Sequence, residues 1–147
     1  MFGVFESREV NSPETLAVPA IGDTDGDFLA DGTPVFVVLS LDGSIYVVAA
    51  VSTHLADDPM GWCEATRTIE DVAHGAKWDE TGRYSAGPAS SDLGTFELGL
   101  SNDFTEVVVR NYLPADGRSD PVAISGESCE HSGLMQLHPG SVVTGTP

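Results

Sequence analysis

The chain has 147 residues, 41% of them hydrophobic, and carries 23 acidic against 6 basic side chains for a formal net charge of −17 at pH 7. That length makes one ordinary domain with enough interior to fold without staples. A surface this acidic repels nucleic acid and anionic membranes, so no nucleic-acid partner and no membrane insertion are expected. The excess of acid fits plain solubility, a saline cell interior or docking against a basic protein surface. No apolar run reaches bilayer length, and Met1 to Glu14 lacks the basic start and apolar core of a signal peptide. The expected place is therefore the cytoplasm, or the soluble side of a larger complex.

In chain order, Phe2 to Val10 reads as one edge strand, and Pro13 and Pro19 argue against a helix. Asp23, Asp25, Asp27 and Asp31 then fall at the first, third, fifth and ninth places of a calcium-loop pattern. Phe28 stands where that loop needs glycine, and Pro34 where it needs its bidentate glutamate, so calcium there rests on an incomplete motif. Pro34 to Leu41 and Ser44 to Val51 are valine-rich strands divided by Asp42-Gly43, a hairpin signal. Their near-continuous apolar run predicts burial on both faces. Later, Gly94 to Leu100 and Phe104 to Leu113 read as two strands turned by Ser101-Asn102-Asp103, closing the base sheet against the first hairpin. No amphipathic helix of three turns is present, and the class is all-β. The remainder, 114–147, is rich in Gly, Ser, Pro and Asp but keeps enough apolar residues to predict docking on the domain or on a partner.

The informative stretch lies between these pairs of strands. The second valine-rich strand runs into Ser52-Thr53-His54-Leu55-Ala56-Asp57. A short hairpin, Trp62 to Ile69, separates it from Asp71-Val72-Ala73-His74-Gly75. Two histidines thus occupy equivalent places on two loops flanking one hairpin, an arrangement suited to gripping a metal ion between imidazoles. Asp57-Asp58 reads as a solvated loop, while Lys77 and Arg83 stand near enough in sequence to neutralise Asp71 or Asp79. Cys63 and Cys129 can pair, tying the hairpin to the tail, but a reducing cytoplasm favours two thiols. Cys129-Glu130-His131 repeats a ligand-like spacing, with His138 seven residues on. No phosphate loop, nucleophile elbow or internal repeat occurs.

The order His54, His74-Gly75, Trp78-Asp79, Thr81-Gly82-Arg83 and Gly87-Pro88-Ala89 resembles the cluster-binding subdomain of the Rieske family. The resemblance implies a Rieske-like antiparallel β-sandwich or barrel over 1–113, a small two-loop metal-binding subdomain over 51–90, and a C-terminal extension over 114–147. Members carry Cys-x-His in the first loop and Cys-x-x-His in the second, where this chain has Ser52 and Asp71. The positions of a loop-to-loop disulfide in many relatives hold Asp57 and Ala73. A Rieske [2Fe–2S] centre needs two thiolates and two imidazoles, so an ordinary cluster is not expected. His54, His74 and Asp71, completed by Ser52 or water, suit a mononuclear iron or zinc ion, or else remain as a vestige with no cofactor. The implied role is a small accessory or structural subunit of a larger, redox-type assembly. A two-His-one-Asp metalloprotein and a Rieske-type electron carrier are the alternatives.

Overall fold

The computed structural model describes residues 13–124, 129 and 135–137. The strands are β1 (Glu14–Ala17), β2 (Thr24–Phe28), β3 (Pro34–Leu39), β4 (Ile45–Ala49), β5 (Met60–Cys63), β6 (Thr68–Asp71), β7 (Lys77–Asp79), β8 (Tyr84–Ala86), β9 (Thr95–Leu100), β10 (Glu106–Leu113) and β11 (Met135–Leu137). They form two antiparallel sheets, a six-stranded one in the order β1-β10-β9-β4-β3-β2 and a five-stranded one in the order β11-β5-β6-β7-β8. No helix occurs among the described residues.

The β3–β4 hairpin is the heart of the larger sheet, and its chemistry is local. Gly43 turns it at φ 90°, a conformation that costs glycine nothing, and Asp42 Oδ1 accepts the Ser44 amide at 2.9 Å. The alternation of strand side chains then splits one valine-rich run between two cores. Val35, Val37, Val47 and Ala49 face one way, with Leu16, Leu29, Phe96, Val107 and Val109. Phe36, Val38 and Val48 face the other way, against Met60, Trp62, Ile69 and Trp78 of the small sheet. Expected burial on both faces is thus observed, because each face meets a different layer. The larger sheet curls until its edges meet into a nearly closed barrel. Glu14 Oε1 on edge strand β1 accepts the Ala30 amide, just beyond edge strand β2, at 2.8 Å.

Two expectations need amendment. The acidic segment 23–31 does not fold as one closed loop. Thr24–Phe28 is extended and paired with β3, Asp23, Asp25 and Asp27 are solvent-exposed, and Asp31 Oδ1 accepts the Thr33 amide within its own turn. Asp25 and Asp27 therefore lie along a strand, with Asp23 before it and Asp31 in the turn after it. Cys63 and Cys129, read as two thiols, are joined in a disulfide with Cα atoms 5.7 Å apart. Phe2–Val10, His131 and His138 lie outside the described residues.

The tail is held at several points. Ser119 donates to Asp92 through both its amide (2.9 Å) and its hydroxyl (2.6 Å), and the Val122 amide reaches Tyr84 O at 3.1 Å. Burial alone would push the Asp92 carboxyl up, but these hydrogen bonds, together with the Tyr84 amide and the Arg83 charge, hold it below the usual range. Further on, Leu137 pairs with Met60 and enters the core between the sheets, where a Cβ on Gly26 would stand 2.8 Å from its Cδ2. Closing a 66-residue separation with one disulfide removes chain entropy worth about 4 kcal/mol at 25 °C. Reduction, or Cys63→Ser, should therefore lower the unfolding free energy by roughly that amount. Urea titrations with and without reductant measure it, and coincident curves would mean the bond contributes nothing.

Candidate metal centre

Two loops converge at one end of the small sheet, and each is built on the side-chain oxygen of its first residue. Ser52 Oγ accepts the amides of His54 (3.1 Å) and Leu55 (3.4 Å), two and three residues on. Asp71 Oδ1 likewise accepts the amides of Ala73 and His74, both at 3.0 Å. These are short side-chain-to-backbone turns of the kind Ser and Asp favour. The loops are then joined to each other, because Ser52 Oγ donates to Asp71 Oδ2 at 2.7 Å. Both residues are buried, Asp71 to 1% exposure.

A third loop supports the pair. Thr53 Oγ1 and Trp78 Nε1 both donate to Ser91 O, at 2.7 and 3.0 Å, which ties the first loop and strand β7 to residues 87–92. Gly87, at φ 81°, lies directly on the second loop. A Cβ there would stand 2.6 Å from Gly75 O, so the backbones touch only because the side chain is missing.

The structure brings Ser52, His54, Asp71 and His74 together. The imidazoles of His54 and His74 meet edge to face with centroids 4.9 Å apart. It also adds a residue that was read as solvated loop. Asp58 is buried, and its Oδ2 lies 2.7 Å from His74 Nδ1. Asp71 Oδ1 is 4.0 Å from the same nitrogen. Ligand atoms of Asp58, Asp71 and His74 all lie within 4.8 Å of one another, the one such group among the described residues. The signal that could have revealed Asp58 is its spacing: it stands two residues before the fully buried Met60, on the inward side of a stretch whose intervening Pro59 is half-exposed. Lys77 Nζ stands 3.9 Å from Glu70, and the Arg83 guanidinium reaches Ser119 Oγ at 3.5 Å.

The donor set decides what the site can hold. A [2Fe–2S] centre of this type requires two thiolates, but a hydroxyl and a carboxylate stand at those loop positions, and both cysteines of the chain are bonded to each other. The residues present do not fit that cluster. Two carboxylates and imidazole nitrogen instead form a hard-to-borderline set suited to a divalent ion.

No protein-family model matches the chain, and no curated protein matches it. Among solved structures it is similar to the cyanobacterial plasma membrane Rieske protein PetC3 from Synechocystis PCC 6803. The two are 28% identical with a TM-score of 0.52, over 60% of this chain and 86% of that one. The fold is Rieske-like.

The hydrogen bond to Asp58 raises the His74 imidazolium above the ordinary histidine range, against a smaller opposing effect of burial. Burial pushes the Asp58 carboxyl up, but hydrogen bonding to His74 and Asp71 and the nearby imidazoles bring it below its usual value. The stabilisation from His74 is complete below the unfolded histidine value and is lost as pH rises through the raised one. That from Asp58 is complete above the unfolded carboxylate value and is lost as pH falls through the lowered one. The pair is thus at full strength between about pH 4 and 6.5. NMR titration of the metal-free protein should show the His74 midpoint falling in Asp58→Asn, and an unmoved midpoint would mean the pair does not form.

Proposed function

We propose that this chain is a Rieske-like domain without a [2Fe–2S] cluster, acting as a small accessory or structural subunit of a larger assembly of redox type. The observation that carries this proposal is the 2.7 Å hydrogen bond from Ser52 to Asp71. It joins the two loop positions whose side chains would otherwise have to reach a shared iron. With the amides of both loops already accepted by these oxygens, the tip keeps its shape with no inorganic partner. The role left to the domain is presentation of a folded surface, and its −17 charge suits a basic partner surface.

Protein purified from iron-replete cells should lack labile sulfide and visible charge-transfer absorption. Ser52→Cys/Asp71→Cys should gain both, since it restores two thiolates on a tip that already carries two imidazoles. Labile sulfide in the parent would overturn the cluster-free proposal. At native abundance the chain should elute in a particle well above its own 15.4 kDa. Elution as a free monomer would overturn the accessory role.

A second possibility, a mononuclear divalent ion on the same loops, is favoured by one specific observation: the convergence of Asp58, Asp71 and His74. In that case His54, His74 and Asp71 remain candidate ligands, Asp58 joins them, and Ser52 keeps Asp71 in place. A bound divalent ion would supply Lewis acidity at its open positions. The protein groups orient it, with His74 fixed by Asp58 and Asp71 by two amides and one hydroxyl. Equilibrium dialysis against Zn²⁺ should then show one site, weakened at least about 10-fold in His74→Ala and in Asp58→Asn. Parent protein that takes up no zinc at micromolar concentration would leave the site vestigial.

A further inference from the structure

The curl of the six-stranded sheet borders a half-open cavity of about 590 Å³ that the candidate metal centre does not use. Leu29, Ala49, Val51, Phe96 and Val109 form its floor and walls. This volume falls within the range that holds drug-sized molecules, roughly 300–1,000 Å³. Leu29, Ala49, Phe96 and Val109 belong to the barrel-side core, and the walls come from strands β1, β4, β9 and β10 together with the segment 29–33 between β2 and β3 and Val51 after β4. A β-bulge between Phe96 and Leu98 re-aims the end of β10, placing Tyr112 opposite Phe96 with ring centroids 5.3 Å apart.

The rim is polar and its charges are arranged. Glu14 Oε1 accepts the Ala30 amide and Asp31 Oδ1 accepts the Thr33 amide, so each carboxylate is held in position by one oxygen. The second oxygen of each has no hydrogen-bond partner among the described residues. Thr33 and Arg110 complete the rim. Two carboxylates against one guanidinium leave this mouth with negative excess, in a molecule whose whole field is strongly negative. An anionic ligand is repelled by both. A protonated amine gains charge-assisted hydrogen bonds from oxygens that are already oriented.

We propose that the barrel cavity binds a small amphiphile made of an apolar ring or short chain and a protonated amine. The apolar part lies against Phe96, Val109 and Leu29, and the ammonium faces Glu14 and Asp31. The site is independent of the cluster state of the loops, although Val51, which lines the cavity, directly precedes Ser52.

The test uses the full chain and N-phenyl-1-naphthylamine, a neutral dye that fluoresces in apolar surroundings. Saturable binding of one dye per chain is expected. 2-Phenylethylamine should displace it at concentrations at least about 10-fold lower than 3-phenylpropionate, a single charge-assisted contact being worth about that factor. Val51→Trp fills the cavity and should weaken the dye at least about 10-fold. Ala30→Trp, at the exposed mouth, provides the same check should the first variant fail to fold. Asp31→Asn should keep dye affinity within a factor of about two while shrinking the preference for amine over acid. Lack of saturable dye binding, equal displacement by amine and acid, or unchanged dye affinity in a folded filling variant would each overturn the proposal. A cavity already filled by the chain's own first residues would give the first of these outcomes.

Discussion

The tip of the molecule depends on one hydrogen bond between residues that come from different sheets. Ser52 leaves the six-stranded sheet after β4, and Asp71 ends β6 of the five-stranded one. Their 2.7 Å contact therefore joins the layers as well as the loops. A bond from a hydroxyl to a carboxylate is worth about 1.5–3 kcal/mol net. The surroundings add to it. Ser91 O accepts from both Thr53 and Trp78, and the close contact of Gly87 with Gly75 sets the second loop against a third.

The same tip carries an unresolved electrostatic demand. Asp58 and Asp71 are both buried and offer ligand atoms within 4.8 Å of each other, in a chain already at −17. Two carboxylates so placed repel unless a cation stands between them. When protonated, the His74 imidazolium supplies that cation, donating from Nδ1 to Asp58. A divalent ion held at Nε2 would leave the Nδ1–H bond to Asp58 in place, with Asp58 orienting the ring. One held at Nδ1 would replace that proton and would make Asp58 a ligand.

What could be read from the sequence is what depends on short-range chemistry. The β3–β4 hairpin follows from Asp42-Gly43 and its flanking valines, the β9–β10 pair from alternation and a polar turn, and the histidine loops from their spacing around a hairpin. Strand β2 was obscured because exposed Asp25 and Asp27 alternate with Thr24, Gly26 and Phe28, a spacing that an edge strand shares with a cation-loop pattern. Asp58 could not be separated from Asp57 by composition. The turn in which the Asp58 amide bonds Leu55 O directs one inward and leaves the other in water. The Cys63–Cys129 pairing spans 66 residues and depends on where the tail returns, which no local pattern encodes.

The tail's return has a mechanical logic. The small sheet is made of strands of three or four residues, too short to be stable as an isolated layer. Its two edges are β5 and β8 once the tail is removed from consideration, and each would expose unpaired backbone. The tail addresses both. Residues 117–122 run along the β8 side, where the Val122 amide meets Tyr84 O, Ser85 Oγ donates to Val122 O at 2.6 Å, and Arg118 lies over the Tyr84 ring at 4.4 Å. β11 then pairs with β5, and the disulfide at Cys63 fixes the register on that side. One extension thus covers both open edges of the layer that carries the histidine loops. It reaches Met60 and Tyr84 from outside, while Ser52 and Asp71 hold the same layer from the tip.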